Sequence, residues 1–137
     1  MYGIKKYAIM FSVGGAGYAI IELLYRRRTH WTMIIAGGIC FVIFSLIEKR
    51  HHYKSPLFKA VLCSSAVCAV ELLFGIIFNL YFKMNVWDYS AEPYNLWGQI
   101  CPLFALLWGA LGLVAMPLVA RLERALDKWL ISYKKRA

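Results

Sequence analysis

Four apolar runs, at about residues 7–25, 31–47, 57–82 and 100–120, leave this chain few ways to fold. Each is near or above the length of roughly 18–20 residues that carries a helix across the hydrocarbon core of a bilayer. The chain has 137 residues, is 61% hydrophobic and has a mean hydropathy of +0.58. A soluble domain of that size has no interior large enough to bury four helices that are apolar all round. The expected fold is therefore an all-α integral membrane protein: a four-helix transmembrane bundle over residues 1–120, then a C-terminal amphipathic helix over 121–137.

The runs differ in what interrupts them. The first follows Lys5-Lys6 and ends at Arg26-Arg27-Arg28 with no small-residue cleavage site, so it reads as a retained span rather than a leader. It carries Gly14, Gly15 and Gly17, and its helical face joins Phe11, Gly15, Tyr18, Glu22 and Tyr25. The second holds Gly37-Gly38 and Ser45, and the fourth holds Pro102, Ala105, Gly109 and Gly112. Small residues of this kind let helices approach closely in a membrane. The third bears Ser64, Cys68, Glu71, Gly75 and Asn79 along one side. From Arg121 onward Leu122, Leu126, Trp129 and Tyr133 keep a helical rhythm among basic residues, as in a helix lying among headgroups.

The net charge of +9 could suit a nucleic-acid partner, but its placement along the chain fits a membrane protein better. With four spans both termini share a side, and that side collects twelve of the 16 Lys and Arg residues, against Arg26, Arg27, Arg28 and Lys83 opposite. The bias predicts a multi-pass protein of the cell membrane with both termini in the cytoplasm, and it explains the basic balance without nucleic acid. The arginine triplet stands on the poor side, which points to another task for it.

Between the third and fourth runs lies Val86-Trp87-Asp88-Tyr89-Ser90-Ala91-Glu92-Pro93-Tyr94-Asn95-Leu96-Trp97-Gly98-Gln99, the longest stretch that is both aromatic and polar. Its aromatic residues suit an interfacial belt. The interleaved Asp88, Asn95 and Gln99 exceed what a belt needs and fit a lid or rim for a bound molecule. Glu22 and Glu71 lie inside predicted spans, where an ionisable group costs about 2.5 kcal/mol or more unless paired or solvated. Together these residues predict an outward-facing polar pocket built from Glu22, Arg26, Arg27, Arg28, His30, Trp31, Glu71, Asn79, Trp87, Asp88, Tyr89, Asn95 and Gln99. The competing reading pairs the two acids with arginines purely for packing.

Chemistry-bearing motifs are missing. There is no GxxxxGK[ST] phosphate loop, no HExxH, no GxSxG and no HxxxD, and Cys40, Cys63, Cys68 and Cys101 form no CxxC. His51-His52 sits in a charged loop with no third ligand at metal spacing. The sequence predicts no cofactor and no metal.

Arg27-Arg28-Thr29-His30-Trp31-Thr32-Met33 with Gly37-Gly38, then Phe74-Gly75 and Asn79, then Val86-Trp87-Asp88-Tyr89-Ser90, and finally Asn95-Leu96-Trp97-Gly98-Gln99-Ile100-Cys101 resemble a bacterial family of type IV ABC-transporter proteins, the CmpB-like permeases. The resemblance covers all four spans and is most specific at Trp-Asp-Tyr-Ser and Gly-Gln-Ile-Cys. It implies a membrane component of a transporter and supplies no catalytic residues. Four short helices are few for a translocation path, so it also implies a homo-oligomer or an ATPase partner. The basic loop and tail fit an ATPase or anionic lipid equally. The leading expectation is a transport component that binds a small molecule or amphiphile. The alternatives are a membrane enzyme using Glu71 or His30 as acid–base, and an assembly subunit packed through its glycine faces.

Overall fold

The computed structural model describes residues 2–136; residues 1 and 137, at the outer ends of the two expected segments, lie outside it. Four helices organise the described residues: α1 Tyr2–Arg26, α2 Trp31–His51, α3 Pro56–Phe74 and α4 Pro102–Arg136. A π-helical segment, Gly75–Tyr81, prolongs α3. All four helical units are long and apolar enough to cross a membrane. Exposed Leu23, Leu24, Leu106, Val114 and Leu118 give the bundle an apolar outer surface of the kind a bilayer solvates.

Local chemistry fixes the ends. Arg27 adopts a left-handed φ of 55°, and its amide donates to the Leu23 carbonyl, which stops α1. His30 is extended and its Nδ1 accepts the Thr32 amide, capping α2. Ser55 accepts the Phe58 amide, with Pro56 in the first turn of α3. The tail beyond Arg121 is helical as expected, and it continues the fourth span without a break as one 35-residue helix.

Glycine sets the packing. Gly14 meets the Gly37 carbonyl, Gly15 meets the Ile34 carbonyl and Gly38 receives the Phe11 ring, so α1 and α2 cross backbone to backbone. Gly112 faces Cys63 and Ala60, and Ser64 donates to the Ala105 carbonyl at 2.6 Å, joining α3 to α4. The core between these pairs is Met10, Met33, Phe44, Val67, Trp108 and Met116. Gly17 is different, because a Cβ there would meet nothing within 4 Å. Gly37→Ala is therefore expected to cost about 2 kcal/mol by overpacking, whereas Gly17→Ala adds roughly 0.5–1 kcal/mol of helix propensity. Thermal unfolding in detergent checks the opposite signs; equal shifts would remove the close-crossing explanation.

The helices run α1, α2, α3, α4 around the bundle, with α2 also touching α4, but α1 and α4 hardly meet. At the end carrying the termini they are clasped by Lys6, which is buried and ion-paired with Glu123 and with Asp127 (2.8 Å); Ser45 of α2 also donates to Glu123. Lys59 and Glu48 pair at 2.7 Å between α3 and α2 at the same end. All four cysteines are free thiols.

Candidate functional site

The aromatic segment does not simply cross the surface. Its first part folds back into the bundle, with Val86 and Trp87 each 5% exposed, while its tip stays out, with Tyr94 91% and Trp97 64% exposed. The two readings of the stretch thus divide along it: the exposed Tyr94 and Trp97 suit an interfacial belt, and Val86 to Tyr89 form a plug.

Asn79 is the post that holds the plug. The π-helical turn puts an additional residue in the ring of backbone bonds, Phe82 N–H donating to the Ile77 carbonyl at 3.0 Å, and such turns recur at functional sites. Buried Asn79 then donates Nδ2 to the Trp87 carbonyl (3.0 Å) and to Gln99 Oε1 (2.9 Å), and its Oδ1 accepts the Val86 amide (2.7 Å). Trp87 Nε1 donates to the Gln99 carbonyl at 3.0 Å. Gln99 lies against Gly75, where any Cβ would collide with its side chain, so the glycine creates the seat for Gln99. The outer part of the loop is a set of turns: Asp88 Oδ1 accepts from the Ser90 amide and hydroxyl, and Asn95 bonds the Ser90 and Glu92 carbonyls and the Gly98 amide. The Ser90 donors hold the Asp88 carboxyl below its ordinary range. Lys83, Asn85, Tyr94 and Trp97 all take left-handed φ values, a concentration of backbone strain in one cap.

Glu71, 3% exposed, is satisfied without a cation. Its Oε1 accepts from Tyr89 OH at 3.2 Å and its Oε2 from Trp108 Nε1 at 3.1 Å. Tyr89 stacks on Phe104 with centroids 4.4 Å apart. Burial, then the Glu71 charge, push the Tyr89 phenol above its ordinary range, so it remains a donor. The arginines expected to reach Glu71 do not: among the described residues no ion pair engages it.

Glu22 is the acid that pairs. Arg26 places one guanidinium nitrogen 2.7 and 2.8 Å from its two oxygens, and the other terminal nitrogen donates to the Val86 carbonyl at 3.1 Å. The pair therefore ties α1 to the plug. Below it lies a cavity of about 270 Å³ walled by Tyr18, Ile21, Glu22, Tyr25, Arg26, Met33, Trp87, Tyr89, Phe104, Leu107, Trp108 and Leu111. A polar corner opens onto apolar and aromatic walls, the usual composition of a ligand site.

Of the residues expected to form the pocket, Glu22, Arg26, Trp87 and Tyr89 line this cavity. Glu71 stands one layer behind, bonded to Tyr89 and Trp108. Asn79 and Gln99 hold the plug, whereas Asp88 and Asn95 shape its outer turns. His30 caps α2, Trp31 packs edge-on to Phe78, and Arg27 and Arg28 are exposed past the end of α1. Sequence reasoning missed the α4 wall. Trp108 was its one available signal, an indole at mid-span where no interface lies.

No curated protein matches the chain and no solved structure matches it. A family model does: residues 2–135, nearly the whole chain, match the family described as "Putative ABC-transporter type IV". With four helices of membrane-crossing length and that match, this chain is a multi-pass membrane protein and belongs to the family so described.

Proposed function

We propose that the protein is a permease-like component of a transporter, and that the cavity under the plug binds a small molecule or amphiphile. The observation that carries this reading is the cavity itself: a neutralised Glu22–Arg26 pair and a tyrosine at one corner, hydrocarbon elsewhere, beneath a segment pinned by four buried hydrogen bonds. The charge bias supports termini in the cytoplasm of a bacterial inner membrane, with the plug facing outward. The exposed basic residues of the last turns of α4, Lys134, Lys135 and Arg136, support contact with an ATPase subunit, and four helices call for a second copy or a partner to complete a path. Catalysis has less support, since neither Glu71 nor His30 lines the cavity and each has its own hydrogen-bond partners.

The test is ligand-dependent thermal stabilisation of the protein in nanodiscs, screened over alkyl amphiphiles and water-soluble solutes. Leu111→Trp fills the cavity from α4 and removes none of the hydrogen bonds that pin the plug. The expected result is a rise in Tm for wild type with at least one class of compound, absent in the variant. No rise with any compound, or an equal rise in Leu111→Trp, would contradict the reading.

A further inference from the structure

Two acids are buried among the described residues, and only Glu22 is matched by a cation. Glu71 lies inside the third span, Pro56–Tyr81, where a carboxylate is costly unless its charge is compensated. Its compensation is weak. Donors approach the carboxylates of Glu22 and Asp88 to 2.6–2.8 Å, as charge-assisted bonds do. Tyr89 and Trp108 stand 3.2 and 3.1 Å from Glu71, and both are neutral, so neither cancels the charge. Both also line the cavity, which Glu71 itself does not reach.

We propose that Glu71 is a reversible proton-binding site, and that the proton it takes up turns the Tyr89 hydroxyl away from Glu71 and into the cavity as a donor to the bound molecule. This deepens the function proposed above and rests on it for the occupant alone. The donor set dictates where the proton goes. An indole N–H only donates, so Oε2, which faces Trp108, stays an acceptor and the proton settles on Oε1. Oε1 faces the Tyr89 oxygen, and that contact has room for a single hydrogen. The acid then donates, the phenol oxygen accepts, and the phenol's own hydrogen swings about the C–O bond to a new direction. One proton is gained from water at Glu71 and one donor is gained by the cavity, while the Tyr89 O–H bond stays intact. Stacking on Phe104 at 4.4 Å holds the ring as its hydroxyl turns. The occupant this selects has an acceptor oxygen on an otherwise apolar body. A metal cation is selected against, because the Trp108 hydrogen points at Oε2 and no three His, Cys, Asp or Glu groups converge among the described residues. The titratable and charged groups in electrostatic reach of Glu71 are Tyr18, Glu22 and Arg26 of α1, Cys40 of α2, Cys68 of α3 and Tyr89 of the plug. Arg26 is bound to Glu22, so that pair brings no net charge, and the α4 partner Trp108 does not titrate.

The experiment is infrared difference spectroscopy of the protein in nanodiscs, stepped from acid to alkaline pH, beside thermal-shift titrations with methyl octyl ketone and with undecane of matching length. Expected in wild type is a protonated-carboxyl band that vanishes as pH rises, with a tyrosine band shifting over the same range. Glu71→Gln removes both changes, and Tyr89→Phe removes the tyrosine shift while the carboxyl band still titrates. The ketone is expected to bind wild type about five-fold more tightly at acid than at alkaline pH, the worth of one hydrogen bond, and undecane shows no such difference. In Glu71→Gln the amide turns its oxygen to Trp108 and its nitrogen to Tyr89, imitating the protonated acid, so the ketone binds at the acid level at every pH. Tyr89→Phe binds it at the alkaline level throughout. A carboxyl band that titrates without the tyrosine shift, or ketone binding that ignores pH in wild type or shares its pH dependence with undecane, overturns this inference and spares the cavity reading. A titrating carboxyl band that persists in Glu71→Gln also overturns it. Coupled bands with no binding of either probe contradict the cavity reading and leave the proton site standing.

Discussion

Asn79→Ala is expected to free the plug and destabilise the protein by about 3–5 kcal/mol. The side chain makes three hydrogen bonds in a buried site, to the Trp87 carbonyl, to Gln99 Oε1 and from the Val86 amide. Truncation leaves those groups unpaired away from water, at roughly 1–3 kcal/mol per orphaned group. Asn79→Asp fares little better, because a carboxylate keeps the acceptor for Val86 but faces the Trp87 and Gln99 oxygens with no donor. Thermal unfolding in detergent measures the loss, and limited proteolysis between residues 83 and 98 reports the freed segment. A variant as stable and as protease-resistant as wild type would show that this network does not hold the plug.

Arg26→Ala should cost nearly as much, about 2–4 kcal/mol. Removing one partner of a buried pair leaves the other charge uncompensated. Glu22 is the deeper member, with a side chain 7% exposed against 24% for Arg26, and that partial exposure keeps the figure toward the lower part of the buried-pair range. The substitution also strips the donor from the Val86 carbonyl. Replacing both residues with leucine is expected to restore most of the stability, since a well-packed apolar pair often does as well as an ion pair, while ligand binding stays lost. Denaturation of the single and double variants tests this. A double variant as unstable as Arg26→Ala would mean that Arg26 acts through the plug and not through Glu22.

The fold was legible in the chain because the bilayer simplifies the problem. Length, hydropathy and the positions of Gly14, Gly37 and Gly112 announce four helices and the faces on which they cross, and the crossings occur there. The site was legible only in part. Glu22 and Arg26 are one helical turn apart, so their pairing follows from spacing alone. The partners of Glu71 come from the loop and from α4, far away in sequence, and no local pattern announces that Tyr89 and Trp108 converge on one carboxylate. Lys6 shows the same limit: in sequence it is one more charge beside a span, yet it is buried and clasps α1 to α4. Nor does periodicity reveal that the α1/α4 seam stays open, because a lipid-facing wall and a groove wall have the same composition.

The central claim is that one ligand occupies the space between α1, α4 and the plug. Native mass spectrometry of protein released from nanodiscs, wild type beside Leu111→Trp, tests it most directly. The expected result is a bound amphiphile on wild type that survives release and is lost in the variant, with both proteins unfolding at similar temperatures once the ligand has been stripped from wild type. Equal occupancy in the two, or none in either, would contradict it.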